Sequence, residues 1–157
     1  MNYSYKRSLW WIIPCIPLMA DRLSKMMVLE HLTNPIQLFP GFNFAITWNT
    51  GVSWSMLQTH NRSGFWLLVI LLSVLISALI GYAQWRIKKG FCALGEMLAI
   101  GGALSNLVDR FLYGAVLDFI DVYAASYHFP TFNIADSCIF IGVCIIFIQQ
   151  WRASHDR

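Results

Sequence analysis

Five of the eight acidic residues in this 157-residue sequence stand in or beside apolar stretches: Asp21, Asp109, Asp118, Asp121 and Asp136. A carboxylate near lipid is costly, at about 2.5–3.5 kcal/mol for a helix centre on insertion scales. Such placement calls for a chemical reason. Two close carboxylates share one proton, so that the ionised one can activate water while the protonated one polarises a peptide carbonyl. Asp118 and Asp136 are the candidates for this pair. The alternative is that each is an interfacial acid satisfied by Arg110 or an asparagine.

Other polar residues have spacings that place them near these acids. Asn106, Asp109 and Arg110 are at i, i+3 and i+4, which puts them on one face of a helix. Asn133 and Asp136 share a face if a helix has begun by then. Asp21 and Lys25 form an i, i+4 pair, whose simplest interpretation is a structural ion pair at a helix end.

The composition indicates a membrane protein with a single domain over residues 1–157. Hydrophobic residues make up 57% of the chain and charged residues 12%, against about 45–50% and 25% in soluble domains. We predict an all-α fold with four transmembrane helices at about 8–29, 63–85, 91–112 and 135–151. The 63–85 stretch has no charge and is the clearest span. A cleaved signal peptide is the alternative for the first one.

Basic residues indicate the orientation of these spans. They concentrate at the N-terminus, in the 86–90 loop and at the C-terminus, so the positive-inside rule places both termini in the cytoplasm. Glu96 then lies near the cytoplasmic start of the third span, where its charge could reach the headgroups. All the other charged residues of the spans fall at the outer ends. Convergence of polar groups in an apolar setting marks a candidate site there.

Two segments connect the spans on the outer side. Residues 30–62 alternate short aromatic and β-branched runs with turn residues, which predicts a small extracytoplasmic β-sheet on the membrane, with Trp48 and Trp54 at the interface. Residues 113–134 are predicted to form a second extracytoplasmic loop. The small residues of the third span, which include Gly102, allow close helix packing in lipid.

Several function classes lack support in this sequence. The basic residues form no nucleic-acid patch, and the four cysteines and four histidines show no ligand spacing, so we expect no metal and no cofactor. No nucleotide-binding motif is present. A small proton-coupled transporter or channel subunit remains the alternative function, because intramembrane Asp and Arg also mark ion pathways. It would need polar residues through the whole depth of the membrane.

Five ordered motifs then carry a resemblance to one family. They are Asp21-Arg-Leu-Ser-Lys25, Asn49-Thr-Gly-Val-Ser-Trp-Ser55, Gly101-Gly-Ala-Leu-Ser-Asn-Leu-Val-Asp-Arg110, Gly114-Ala-Val-Leu-Asp-Phe119 and Phe129-Pro-Thr-Phe-Asn-Ile-Ala-Asp-Ser137. Together they resemble the lipoprotein signal peptidase (signal peptidase II) family over nearly the whole chain. One departure is Val52-Ser53-Trp54, where the family has a small-small-Phe run.

The resemblance implies an aspartyl endopeptidase of the bacterial inner membrane. It would remove signal peptides from prolipoproteins, cleaving before a diacylglyceryl-modified cysteine. Globomycin-type inhibitors would bind the site, and no partner subunit is needed, so a monomer is expected.

The motif match also implies a role for each site residue. The catalytic pair falls on Asp118 and Asp136. A group of polar residues and one glycine would bind the substrate or support the pair: Asn49, Gly102, Asn106, Arg110 and Asn133. Asp109 and the Asp21–Lys25 pair would fix the spans and Arg110. Asp121 lies outside the matched motif, and its role stays open.

Overall fold

A computed structural model describes residues 9–51 and 62–155. Its four long helices are α1 (Cys15–His31), α2 (Arg62–Lys88), α3 (Leu94–Tyr113) and α4 (Ile134–His155). A short 3-10 helix at Leu9–Ile12 precedes α1. The predicted interface residue Trp54, the altered Val52-Ser53-Trp54 run and most basic residues of the chain termini lie outside the described residues.

The helix ends follow from local sequence. Pro14 caps α1 and Pro17 lies in its first turn, where backbone N–H groups have no partner within the helix and a proline removes nothing. Helix α3 ends at Gly114, which adopts φ 73°, a left-handed conformation that costs glycine little. These ends agree with the predicted spans to within a few residues, except that α1 begins later.

Two of the described helices, α2 and α4, are long and apolar enough to cross a membrane, with 27 and 22 residues. Most of their apolar side chains face outward, as for Leu67 at 69% and Phe147 at 68% exposure. A helix in the core of a soluble protein would bury such side chains. Helices α1 and α3 carry several charged residues, so four transmembrane helices stay a prediction.

Helix α3 packs against all three other long helices. Glycines allow its close approach to α4. A Cβ on Gly95 would lie 2.6 Å from the Gly142 carbonyl oxygen, and one on Gly102 would lie 2.5 Å from that of Ala135. Any side chain at Gly102 would therefore separate the two helices near the first turn of α4.

A four-stranded antiparallel sheet lies at the end of the bundle where α3 ends and α4 begins, here called the sheet end. Its strands are β1 (Ile36–Phe39), β2 (Phe42–Asn49), β3 (Val116–Ala124) and β4 (Tyr127–His128), paired in chain order. The small sheet was expected from residues 30–62.

Two sequence-based expectations need correction. The 113–134 segment, predicted as a second loop, contains strands β3 and β4 and completes the sheet. Its Val-Leu-Asp-Phe-Ile-Asp-Val-Tyr run is rich in β-branched and aromatic residues, which favour strands. Glu96 does not reach outward: it is fully buried and its Oε1 lies 2.6 Å from Arg86 Nη1, because an unpaired buried carboxylate would be costly.

Candidate active site

Asp118 and Asp136 line one cavity at the sheet end, although 17 other residues separate them in sequence. Asp118 lies on β3 and Asp136 in the first turn of α4. The cavity has a volume of about 440 Å³ and combines these carboxylates with polar and apolar groups: Asn49, Phe129, Pro130, Thr131, Phe132, Ser137, Phe140 and Ile141.

Strand pairing brings Asn49 to Asp118. In the register of β2 and β3, Asn49 lies opposite Val116 and Thr47 lies opposite Asp118. Asn49 and Asp118 are therefore diagonal neighbours on one face of the sheet, within reach of each other. Asn49 Nδ2 donates a hydrogen bond to Asp118 Oδ2 at 3.1 Å. The side-chain oxygen of Asn49 accepts the N–H of Gly51, which fixes the direction of the amide.

A reciprocal pair of hydrogen bonds fixes Asp136 at the start of α4. Asn133 Oδ1 accepts the backbone N–H of Asp136 at 2.9 Å, and Asp136 Oδ2 accepts that of Asn133 at 3.2 Å. This is the geometry of a capping box, here with Asn and Asp three residues apart. Asp136 also lies at the positive end of the helix dipole, which favours a negative charge.

Asn133 and Asn106 join the two carboxylates. Asn133 Nδ2 donates to Asp118 Oδ1 at 2.7 Å and lies 3.1 Å from Asn106 Oδ1, while Asn106 Nδ2 donates to Asp136 Oδ1 at 2.8 Å. Every hydrogen bond given to Asp118 or Asp136 by the described residues comes from an amide. We call these two acids the amide-held pair.

Asp21 and Asp109 form a different kind of cluster, which we call the ion-pair network. Lys25 Nζ lies 2.6 Å from Asp21 Oδ2 and 2.6 Å from Asp109 Oδ2, and Arg22 donates to Asp109 Oδ1. Ser105 Oγ donates to Asp21 at 2.7 Å. Asp21, Lys25 and Asp109 are at most 1% exposed, so the pair expected at a helix end is a buried cluster that joins α1 to α3.

The ion-pair network also supports the site directly. Lys25 Nζ donates to Asn106 Oδ1 at 3.0 Å, Asp21 Oδ1 accepts the N–H of Ala135 at 2.9 Å, and Asp109 Oδ2 accepts the N–H of Leu117 at 3.1 Å. It therefore holds the start of α4 and the residue before Asp118. Asp109 contacts Arg22 and Lys25 through ion pairs, whereas the resemblance had linked it to Arg110.

Arg110 is 4% exposed and donates through Nη2 to the carbonyl oxygen of Gly51. Its Nε and Nη1 groups have no hydrogen-bond partner among the described residues. Buried donors of a charged group are normally satisfied, so within the described part of the chain these two nitrogen atoms are candidates to bind an acceptor that enters the site.

Burial raises the pKa of Asp118 to about 7, and the nearby charge of Asp136 acts in the same direction. Hydrogen bonds from Asn49 and Asn133 and the charge of Lys25 lower this pKa in part. A carboxyl group with a pKa near 7 can hold a proton at neutral pH and release it during a reaction.

The sequence interpretation missed two contributors and one local geometry. Arg22 joins the ion-pair network, and its spacing of three from Lys25 was an available signal. Ser105 donates a hydrogen bond to Asp21. The Asn133-x-x-Asp136 spacing was attributed to a shared helix face, whereas it forms a cap.

Asp121 lies three residues from Asp118 on β3, and strand alternation directs the two side chains to opposite faces. It accepts a hydrogen bond from Asn43 Nδ2 at 2.9 Å and lies 2.8 Å from His128 Nδ1. The sheet therefore separates Asp121 from the amide-held pair.

Other parts of the described structure give less support for an active site. A larger cavity of about 810 Å³ at the opposite end of the bundle contains Arg86, Arg152 and aromatic side chains. No carboxylate among the described residues lines it, so the described part of the chain offers no acid–base pair there. Within residues 9–51 and 62–155, no group of three or more His, Cys, Asp or Glu residues could hold a metal ion.

Comparison with known proteins identifies related sequences along most of this chain. The family model described as signal peptidase (SPase) II matches residues 13–152. A lipoprotein signal peptidase of Shewanella oneidensis is 42% identical over 143 residues, covering 87% of this chain and 82% of the relative. That of Blochmanniella pennsylvanica is 35% identical over 151 residues, covering 94% and 92%.

Solved structures with the same fold agree with the sequence relatives. A bacterial membrane enzyme determined by the in meso method at 2.3 Å resolution is similar with a TM-score of 0.75 and 26% identity, over 96% of this chain and 92% of the other. A second structure so described, at 1.9 Å resolution, has a TM-score of 0.70 and 27% identity over 91% and 92%.

Proposed function

This chain belongs to the signal peptidase II family, and we propose that it cleaves diacylglyceryl-modified prolipoproteins by an aspartic mechanism at Asp118 and Asp136. Family membership makes it a peptidase of the bacterial inner membrane that removes signal peptides from lipoproteins. One observation carries the mechanism: a buried carboxylate, Asp118, and a partly buried one, Asp136, line the same cavity and are held by amides, with no cation in direct contact among the described residues.

The environments of the two acids favour different roles. Asp118 has a pKa of about 7 and would hold the shared proton. Asp136 lies at the N-terminus of α4 and accepts a backbone N–H, so it would be the ionised base. Asp136 would remove a proton from water while Asp118 donates a hydrogen bond to the scissile carbonyl. No metal or cofactor is needed for this hydrolysis.

The neighbouring side chains would position the substrate and the pair. Arg110 has two buried N–H groups without partners in the described part of the chain, and these would bind a substrate carbonyl oxygen. Asn49, Asn106 and Asn133 orient the two carboxylates. Gly102 keeps α3 close enough to α4 for Asn106 to reach Asp136.

The cavity also suits a lipidated peptide within a membrane. Its polar side holds Asn49 and the two aspartates, and its apolar side includes Phe140 and Ile141. These two residues are 70% and 49% exposed on the surface of α4. The substrate would therefore enter sideways from the lipid, with its acyl chains against the apolar side. A globomycin-type inhibitor would bind the same cavity.

The arrangement in the membrane follows from the same proposal. The whole chain would act as one domain and as a monomer, with four spans, cytoplasmic termini and the sheet end facing the periplasm. A proton-coupled transporter would need polar groups along the membrane depth, whereas the charges of α2 are Arg62, Arg86 and Lys88 near its ends.

A cleavage assay with matched substrates tests the proposed function. Purified protein in lipid is given a prolipoprotein peptide with or without the diacylglyceryl group on its cysteine, and the products are identified by mass spectrometry. We expect cleavage before the modified cysteine only in the lipidated peptide, and competition by a globomycin-type compound. Equal cleavage of both peptides would contradict the assigned substrate class.

A further inference from the structure

Residues 129–132 form one side of the catalytic cavity and are called here the cavity wall. The first three of them also line a second cavity of about 520 Å³, together with Asp121 and His128. Two cavities therefore border most of this wall. A segment that borders two cavities has fewer packing contacts than one in the core, so its position depends more on the contacts at its ends.

Backbone hydrogen bonds attach the cavity wall to β3 at two points. Phe129 N–H donates to the Val122 carbonyl oxygen at 2.8 Å, and Phe132 exchanges hydrogen bonds of 3.1 and 2.8 Å with Ile120. Between them, Pro130 has no N–H to donate. The adjoining strand β4 has only two residues, Tyr127 and His128, so the ladder alone is short.

Side chains add a third attachment immediately before the wall. Asp121 is 6% exposed, and its Oδ1 lies 2.8 Å from His128 Nδ1. Its Oδ2 accepts a hydrogen bond from Asn43 on β2. The ring of His128 stacks on Tyr123 with centroids 4.9 Å apart and an interplanar angle of 17°. These contacts link the wall to the middle of the sheet.

We propose that Asp121 and His128 are positioning residues that fix the cavity wall and thereby set which substrate residues fit before the modified cysteine. This inference rests on the proposed peptidase function. Neither side chain takes part in the chemistry, because neither lines the catalytic cavity. Loss of either contact releases the start of the wall, so that the cavity accepts larger residues at the position before the cleaved bond.

The test compares substrate discrimination in Asp121→Asn and His128→Gln with that of the unaltered protein. Lipidated peptides carry alanine or leucine before the modified cysteine, and kcat and KM are measured for each. We expect the ratio of kcat/KM for the leucine peptide to that for the alanine peptide to rise by about tenfold in each variant. The kcat for the alanine peptide should stay within about twofold. The effect of the double variant should be smaller than the sum of the two single effects, because both single variants weaken the Asp121–His128 contact.

Exposed residues on α1 provide matched controls. Glu30→Gln and His31→Gln make the same chemical changes at residues that line neither cavity, and they should leave the preference unchanged. His128 is half-exposed, so its variant tests the proposal even if Asp121→Asn fails to fold.

Two outcomes overturn the inference: an unchanged preference in both variants, or a loss of kcat that is equal for both peptides and accompanied by a lower Tm. If the unaltered protein cleaves neither lipidated peptide, the proposed function fails instead.

Discussion

Two groups of buried or partly buried aspartates lie at the sheet end, and they differ in which side chains contact them. Asp21 and Asp109 contact cationic side chains directly in the ion-pair network. Asp118 and Asp136, the amide-held pair, receive hydrogen bonds only from amides among the described residues. Burial is almost complete for Asp21, Asp109 and Asp118, so burial by itself does not separate the two groups.

The difference suggests a way to distinguish structural carboxylates from candidates for acid–base chemistry. A cation in contact keeps a carboxylate ionised and unreactive, and it joins the elements that carry the two charges. Amides orient a carboxylate without fixing its ionisation, so a neighbouring acid can hold a proton. A buried acid held by neutral donors is therefore the better candidate for acid–base chemistry.

A third charged cluster at the opposite end follows the structural pattern. Arg86 contacts Glu96 at 2.6 Å and donates to Gln149 at 2.7 Å, which joins α2, α3 and α4. The carboxylate of Glu96 is therefore in contact with a cation, like the carboxylates of the ion-pair network. We expect no chemistry there.

The largest expected effect is the loss of catalysis when either acid of the amide-held pair is replaced. Asp118→Asn and Asp136→Asn should each reduce kcat by at least about 10³-fold, because an amide cannot accept the water proton or supply the shared one. Expression and Tm should change little, since the asparagine keeps the shape of the side chain. Near-normal cleavage of a lipidated prolipoprotein by either variant would exclude the proposed pair.

The ion-pair network should respond in the opposite way, through stability. Lys25→Met removes the cation shared by Asp21 and Asp109, and breaking a buried pair costs about 3–5 kcal/mol. We expect a decrease in Tm of about 10 °C in lipid or detergent. The control is Lys89→Met, which changes an exposed lysine. An unchanged Tm for Lys25→Met would mean that the network does not stabilise the fold.

The pH dependence should report on Asp118. Its pKa is about 7 in the fold, so the protonated fraction, and with it kcat/KM, should fall as pH rises above about 7. Asn49 stabilises the ionised form by its hydrogen bond, so Asn49→Ala should raise this pKa and move the fall to higher pH. Asn43 lies on the same strand but is hydrogen-bonded to Asp121, so Asn43→Ala should leave the pH at which kcat/KM falls unchanged. A shift to lower pH in Asn49→Ala would contradict the assignment.

The smallest expected effect concerns metal ions. If two carboxylates and water suffice, a chelator should leave the cleavage rate within about twofold of its untreated value. Strong inhibition that is reversed by added Zn²⁺ or Mg²⁺ would mean that the amide-held pair is instead part of a metal site.

Much of this organisation could be predicted from particular residues. The uncharged 63–85 stretch gave a helix that the structure extends over Arg62–Lys88. Turn residues and alternation in 30–62 indicated strands, and ordered motifs indicated the family, which the comparisons confirm. The strands within residues 113–134 were harder to predict from sequence. Strand β3 is buried over much of its length, so its buried and exposed residues do not alternate there.

The roles within the charged clusters depended on longer-range contacts. Arg22 and Lys25 meet Asp109 more than 80 positions along the chain, and Arg86 meets Glu96 across a turn. No local spacing indicates which acid receives which cation. The sequence therefore could not separate the structural acids from the candidate reactive pair by their surroundings.

The sequence by itself determined the membrane class, the helical segments and the family, because hydrophobic length, charge and ordered motifs are local properties of the chain. Only the tertiary structure decided which buried aspartates contact lysine or arginine and which contact asparagine. That decision depends on the register of β2 with β3, on the close approach of α3 and α4 at Gly102, and on the cap at Asn133. The cap joins residues only three positions apart, but it fixes Asp136 for its contact with Asn106. The register and the close approach bring together atoms from distant parts of the chain, and short-range hydrogen bonds act only once folding has done so.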